Sequence, residues 1–234
     1  MPNNLLALIL TFILALLWLR LNDYAAHRGW ISSQLSRKII HIGTGPIFVL
    51  CWLLYTDDSS ARYLAALVPL AITLQFILVG FGLIKDEAAV QAMSRTGDRR
   101  EILRGPLYYG MIFVILTIIF WYKVPIGIVA LMMMCGGDWL ADILGRKFGK
   151  LKIPWNSGKS WAGSGGMFLG GWLLSLIILA IFIAVGIFSQ PFTSFFVPIT
   201  VISIAATLVE SLPLKDIDNI TITLTAICLG FVFF

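Results

Sequence analysis

Two aspartates four residues apart, Asp138 and Asp142, stand near the end of an apolar run and are followed by five basic residues, Arg146, Lys147, Lys150, Lys152 and Lys159. On a helix that spacing projects both carboxylates from one face. A carboxylate inside a membrane segment costs about 2.5–3.5 kcal/mol on insertion scales, so ionisable residues there usually line a polar cavity. Behind the basic residues come the glycine-rich run Gly163, Ser164, Gly165 and Gly166 and then another apolar segment. Glycines let the backbone approach closely, and N–H groups at a helix start point at an anion, so this run can cradle phosphates, with Lys159 adding a point charge just before it. Magnesium is commonly held by one or two carboxylates plus phosphate oxygens, a metal role open to Asp138 and Asp142. A carboxylate pair, a metal and a basic cradle together describe nucleotide phosphate handling.

Each feature also has a plainer explanation. The aspartates could simply end a helix at the interface, with Arg146 one turn later as salt-bridge partner. Small residues in membrane helices mark close packing, which is the role expected of Gly170 and Gly171 and an alternative for Gly166. A soluble-type ATP site is not expected, because Gly158-Lys159-Ser160 lacks the spaced upstream glycine of a Walker A loop.

Two further polar clusters occur. Arg37, Lys38 and His41 open a second apolar segment, with Arg37 and His41 four apart on one face. Anchoring at a positive interface accounts for the two cations, and packing against a polar partner is the alternative for His41. Glu210, Ser211, Asp216, Asp218 and Asn219 join the last two apolar segments, and Pro213 should end the helix that carries Glu210.

The elements that must position these residues are membrane helices. Of 234 residues, 59% are hydrophobic and 12% charged, against roughly 45–50% and about 25% for a soluble domain. Hydropathy gives an all-α integral membrane protein with eight spans, at approximately 3–21, 38–55, 61–84, 106–122, 124–143, 165–188, 193–212 and 217–234. Seven is the competing count, since only Lys123, Val124 and Pro125 separate the fourth from the fifth and the eighth is short and Thr-rich. The whole chain, 1–234, reads as a single membrane domain without internal repeat.

The basic residues test this topology, because cytoplasmic loops carry an excess of Lys and Arg. With eight spans, fifteen of the seventeen fall on one side, and only Arg62 and Lys123 fall on the other. That side carries all three polar clusters, so the site loops are expected to face the cytoplasm and both termini to face away from it. The net charge of +5 is then topology rather than a nucleic-acid footprint. The stretch Lys85–Gly105 mixes both signs and is expected to hold a short helix on the cytoplasmic face or to be a solvated connector. Asn3 to Leu21 lacks the basic start and cleavage site of a signal peptide and is expected to remain as the first span. The membrane is expected to be that of a prokaryote, plasma or internal, or of an organelle if a presequence is missing. Cys51, Cys135 and Cys228 are isolated in apolar segments, which predicts neither disulfide nor zinc site.

Five stretches, RKIIHIGTG from Arg37, EILRGPLYYG from Glu101, GDWLADILGRKFG from Gly137, KIPWNSGKSWAGS from Lys152 and VESLPLKDIDNI from Val209, resemble in order the motifs of polyprenol kinases. The likeness is greatest to phytol and farnesol kinases, which are related to dolichol kinases. The resemblance implies phosphorylation of a long-chain isoprenoid alcohol by CTP, giving a monophosphate and CDP. It carries function onto Asp138, Asp142, Arg146, Lys159, Ser160, Gly163 and Glu210, and places Lys38 and His41 in the first motif. The GRKFG, KIPWN and KSWAGS pieces favour phytol, with farnesol, geranylgeraniol and dolichol as alternatives. Lipid cytidylyltransferases share a similar signature but end it with an acidic residue before glycine, where this chain has Ala162, and that favours a kinase. A transporter, motivated by the intramembrane charges alone, would be expected to show inverted repeats and broken helices, and neither is visible. The general base stays open among Asp138, Asp142, Glu210 and His41.

Overall fold

The computed structural model describes residues 3–94, 96–214 and 217–234. Arg95, Lys215 and Asp216 lie outside the described residues, as does the side chain of Arg37. Contacts along the chain group into two units, one running to Ile119 and one from Phe120 to Phe234.

The first unit holds α1 (Asn4–His27), α2 (Ser33–Cys51), α3 (Ala61–Phe81), α4 (Glu87–Met93) and α5 (Gly105–Ile119). Local chemistry sets the ends. The Asn3 side chain accepts the Leu5 N–H, Ser32 accepts that of Leu35, and Asp86 accepts that of Ala89, each supplying an oxygen to an N–H that the helix cannot pair. Gly82 ends α3 at φ 78°, a left-handed conformation that costs glycine no Cβ clash. The mixed-charge stretch does contain a short helix, α4, and then a 3-10 turn at Arg99–Leu103, whose Ile102 is fully buried against Phe76 and Val79 of α3. Leu5, Leu6, Ile9, Ile13, Leu16 and Leu17 of α1 are exposed, as expected of a helix whose solvent is lipid.

The second unit opens with α6 (Pro125–Met132). Proline at its first position has no N–H to leave unpaired. Residues Ile126 to Gly137 are all buried, and Met133–Gly137 form a π-helical turn leading directly into α7 (Asp138–Phe148). A hairpin of β1 (Lys152–Ile153) and β2 (Asn156–Ser160) follows, pairing Lys152 with Ser160 and Ile153 with Asn156. Then come α8 (Trp161–Ala184), α9 (Phe196–Glu210) and α10 (Asp218–Phe233). The hairpin is the one departure from the expected all-α class among the described residues.

Among the described residues six stretches are long and apolar enough to cross a membrane: Asn4–Ala26, Ala61–Phe81, Arg99–Ile119, Pro125–Phe148, Trp161–Ala184 and Phe192–Glu210. Shorter apolar helices, Lys38–Leu54 and Asp218–Phe233, coincide with the second and eighth hydropathy segments. The protein is thus a helical membrane protein. Two boundaries move in ways that matter. The fifth segment does not stop near 143 but continues helically to Phe148, so Arg146 and Lys147 belong to the last turn of α7 rather than to a loop. Asp138 therefore stands ten residues before that helix end, roughly 15 Å at the helical rise. The sixth begins at Trp161, so the glycine run lies inside the first turns of α8, not in a turn ahead of it.

Candidate active site

The site grows from the end of α7 and the hairpin. Ser160, in extended conformation, caps α8 by accepting the Gly163 N–H at 3.1 Å. That N–H is consequently engaged within the chain. A Cβ on Gly163 would stand 3.2 Å from the Ala141 carbonyl oxygen of α7. Cβ atoms on Gly166 and Gly170 would run into the backbone of Leu140 and Gly136, and one on Gly136 would stand 2.6 Å from the Gly170 carbonyl oxygen. These glycines let α7 and the π turn lie backbone to backbone against α8, the close approach small residues permit in membranes. Gly171 meets Met133 in the same way, so the packing role expected of Gly170 and Gly171 is what the structure shows. Gly165 differs, because a Cβ there would meet nothing within 4 Å. The Ser164 hydroxyl is buried and makes no hydrogen bond among the described residues.

The hairpin reaches across to the end of α9. The Trp155 indole N–H donates to the Ser211 hydroxyl at 3.1 Å, and the Asn156 amide donates to the carbonyls of Ser211 and Leu212 at 3.1 and 3.2 Å. Asn156 also accepts the Gly158 N–H at 3.1 Å, closing a local turn. Neither Trp155 nor Asn156 stands out by charge in the sequence. The Asn-Ser-Gly turn signal marks a tight connection there but not its partner.

This tether places Lys159 between two carboxylates. Its ammonium donates to Glu210 Oε1 and to Asp218 Oδ2, the latter at 3.0 Å. Glu210 is 4% exposed, Lys159 27% and Asp218 28%. Burial alone would draw the Lys159 pKa down, but attraction to Glu210 and then Asp218 outweighs it, so the group sits above the ordinary lysine value and stays charged. Asp138 lies within electrostatic reach of Glu210. Glu210 Oε2 is buried and has no hydrogen-bond partner among the described residues.

Asp142 makes the salt bridge expected one turn along, to Arg146 Nε at 2.7 Å. Thus Asp138, Asp142, Arg146, Lys159, Ser160, Gly163, Ser164, Gly165 and Glu210 all belong to the second unit, with Asp218 joining them. Lys38 and His41 lie on α2 of the first unit. There the His41 ring packs 4.2 Å from that of Tyr109, whose hydroxyl donates to the His41 carbonyl at 2.7 Å. Among the described residues no three His, Cys, Asp or Glu side chains gather as a metal cage. Asp138 and Asp142, one helical turn apart, fit the sparser pattern in which one or two carboxylates hold a magnesium ion that phosphates ligate otherwise.

Beside the cluster an open apolar groove of about 380 Å³ is lined by Trp155, Leu208, Val209, Ser211, Leu212 and Pro213. Two of these residues, Val209 and Ser211, flank Glu210 in the chain.

The fold and the site define a class, a helical membrane protein in which a lysine of β2 is held between the buried Glu210 at the end of α9 and the half-buried Asp218 at the start of α10. Comparison with known proteins narrows it. The chain is 41% identical over 214 residues to a probable chloroplastic phytol kinase of Triticum aestivum, covering 91% of this chain and 71% of that protein. It is 39% identical over 209 residues to phytol kinase 1 of Arabidopsis thaliana, covering 88% and 69%. It is 42% identical over 209 residues to the farnesol kinase of the same plant, covering 88% and 68%. No family model matches, and no solved structure does. The chain belongs to the phytol and farnesol kinase family.

Proposed function

We propose that the protein transfers the terminal phosphoryl group of CTP to the hydroxyl of a long-chain isoprenoid alcohol, phytol in preference to farnesol, releasing the alcohol monophosphate and CDP. Both units serve this one activity. The observation that carries the reading is the 39–42% identity to phytol and farnesol kinases over about nine-tenths of the chain. The geometry agrees with it. Phosphoryl transfer asks the protein mainly to position groups and neutralise charge. Lys159, Arg146 and the start of α8 with Ser164 and Gly165 supply cationic and polar groups for the nucleotide. Lys38 and His41 are given a part in the reaction on the ground of the first motif alone. Asp138 and Asp142 would hold magnesium, which when bound neutralises phosphate charge.

The test is turnover. Purified protein given phytol or farnesol, magnesium and each of CTP, ATP, GTP and UTP is expected to form the alcohol monophosphate and CDP with CTP. A CDP-lipid with pyrophosphate would make it a cytidylyltransferase, and no product with any nucleotide would overturn the enzyme reading for this chain.

The polar clusters are assigned to the cytoplasmic face, or the equivalent face of an organelle, since the relatives named above are described as chloroplastic. The fifteen-to-two division of basic residues supports this sidedness. Single cysteines at Ser59 and Ser94, in a background free of native cysteines, are expected to label from opposite sides. Labelling from one side would remove the eight-span topology.

A further inference from the structure

We propose that Glu210 is the catalytic base, its Oε2 taking the proton of the substrate alcohol, and that Lys159 and Asp218 are the residues that position it. This rests on the alcohol-kinase reading above.

The two oxygens of Glu210 are unlike. Oε1 receives the Lys159 ammonium, whereas Oε2 is buried with no hydrogen-bond donor among the described residues. A buried acceptor left unsatisfied is costly, and more so when charged. A ligand that brings an O–H removes that cost, and the isoprenoid alcohol carries one. The apolar groove lined by Leu208, Val209, Leu212 and Pro213 runs along the end of α9 and offers an isoprenoid tail a place to lie.

Lys159 makes the arrangement directional. An ammonium has three N–H donors, and Glu210 Oε1 and Asp218 Oδ2 take two. The carboxylate is thereby fixed in rotation, and the third N–H, which meets no acceptor among the described residues, can serve a phosphate oxygen. Charged groups reach Glu210 from three elements: Lys159 of β2, Asp218 of α10 and Asp138 of α7. Asp142 is by contrast engaged with Arg146.

The step balances. The alcohol oxygen forms a bond to the terminal phosphorus of the nucleoside triphosphate, while the bond from that phosphorus to the bridging oxygen breaks. The electron pair leaves with the nucleoside diphosphate, and the hydroxyl proton passes to Glu210 Oε2 and later to water.

Glu210→Gln keeps the shape and removes the base. In the purified full chain it is expected to lower kcat about 100-fold or more and to leave the KM for CTP nearly unchanged. A substrate analogue fluorinated beside the hydroxyl has a more acidic proton and should lose less. Glu210→Asp keeps the charge opposite Lys159 but draws the oxygen back by one methylene, so it should fold and still lose kcat. Asp218→Asn should lose less than Glu210→Gln, again in kcat, with the same relief by the fluorinated alcohol. Normal kcat in Glu210→Gln or Glu210→Asp overturns the inference. So does an equal loss with both alcohols, which is the mark of a structural role. A parent protein that phosphorylates neither alcohol overturns the kinase reading and this assignment with it.

Discussion

Asp138→Asn and Asp142→Asn are each expected to lose about 100- to 1000-fold in turnover, the usual cost of deleting one preorganised electrostatic stabiliser, while inserting and folding normally. Asparagine keeps the shape of aspartate and removes the charge that magnesium requires of an oxygen ligand. Asp138 should become easier to insert, because it stands ten residues before the end of α7 and a charge at depth is costly. Asp142→Asn also gives up the pair with Arg146. That pair has side chains 34% and 56% exposed, and such exposed pairs contribute about 0–1 kcal/mol. The check is detergent-solubilised yield, melting temperature and turnover across a magnesium titration. Full turnover with an unchanged magnesium requirement in either variant would remove that residue from the metal site. A fall in melting temperature with normal turnover per folded molecule would mark the pair as structural.

Lys159→Ala is expected to strike both stability and turnover. Without the ammonium, Glu210 at 4% exposure and Asp218 are left facing each other as like charges. Removing one partner of a buried pair costs about 3–5 kcal/mol, and the lower end applies because Lys159 is itself 27% exposed. Lys159→Arg should recover part of the stability, since the charge survives but the planar guanidinium replaces a compact ammonium that serves two carboxylates. Lys147→Ala, whose ammonium lies 5.3 Å from the centre of the Phe148 ring, is the control and should change little. The pH dependence of the parent has a definite sign. The folded pKa of Lys159 is raised above the ordinary 10.5, so its contribution is fully present below that value and is lost only as pH rises through the folded pKa. Melting curves of parent and Lys159→Ala should therefore differ by a constant amount through neutral pH and converge in strong base. A Lys159→Ala protein with the parent's melting temperature and turnover at limiting CTP would assign Lys159 to membrane anchoring.

Some of this was written locally and could be read from the chain. Hydropathy located the helices because each must satisfy its own backbone in lipid, whatever it packs against. Asp138 and Asp142 were legible as a pair because helical spacing is intrinsic, and so was the Asp142–Arg146 contact one turn on. The end of α9 near Glu210 followed from Pro213. The start of α8 did not, because the glycine run holds hydropathy down ahead of 165 while the helix starts at Trp161, just after its Ser160 cap. The short hairpin was equally hidden, since a two-residue strand carries no periodicity.

The sequence by itself thus determined that the chain is a helical membrane protein, that its chemistry-bearing residues fall into a few clusters, and which family motifs they follow. Only the tertiary structure decided which clusters meet. Lys159 is separated from Glu210 by 51 residues and from Asp218 by 59, and nothing in local spacing pairs them. What pairs them is the hairpin tethered through Trp155 and Asn156 to Ser211 and Leu212. The glycine run was reassigned for the same reason: whether a glycine faces a phosphate or another backbone depends on what lies opposite. For Gly166 and Gly170 that is the backbone of Leu140 and Gly136.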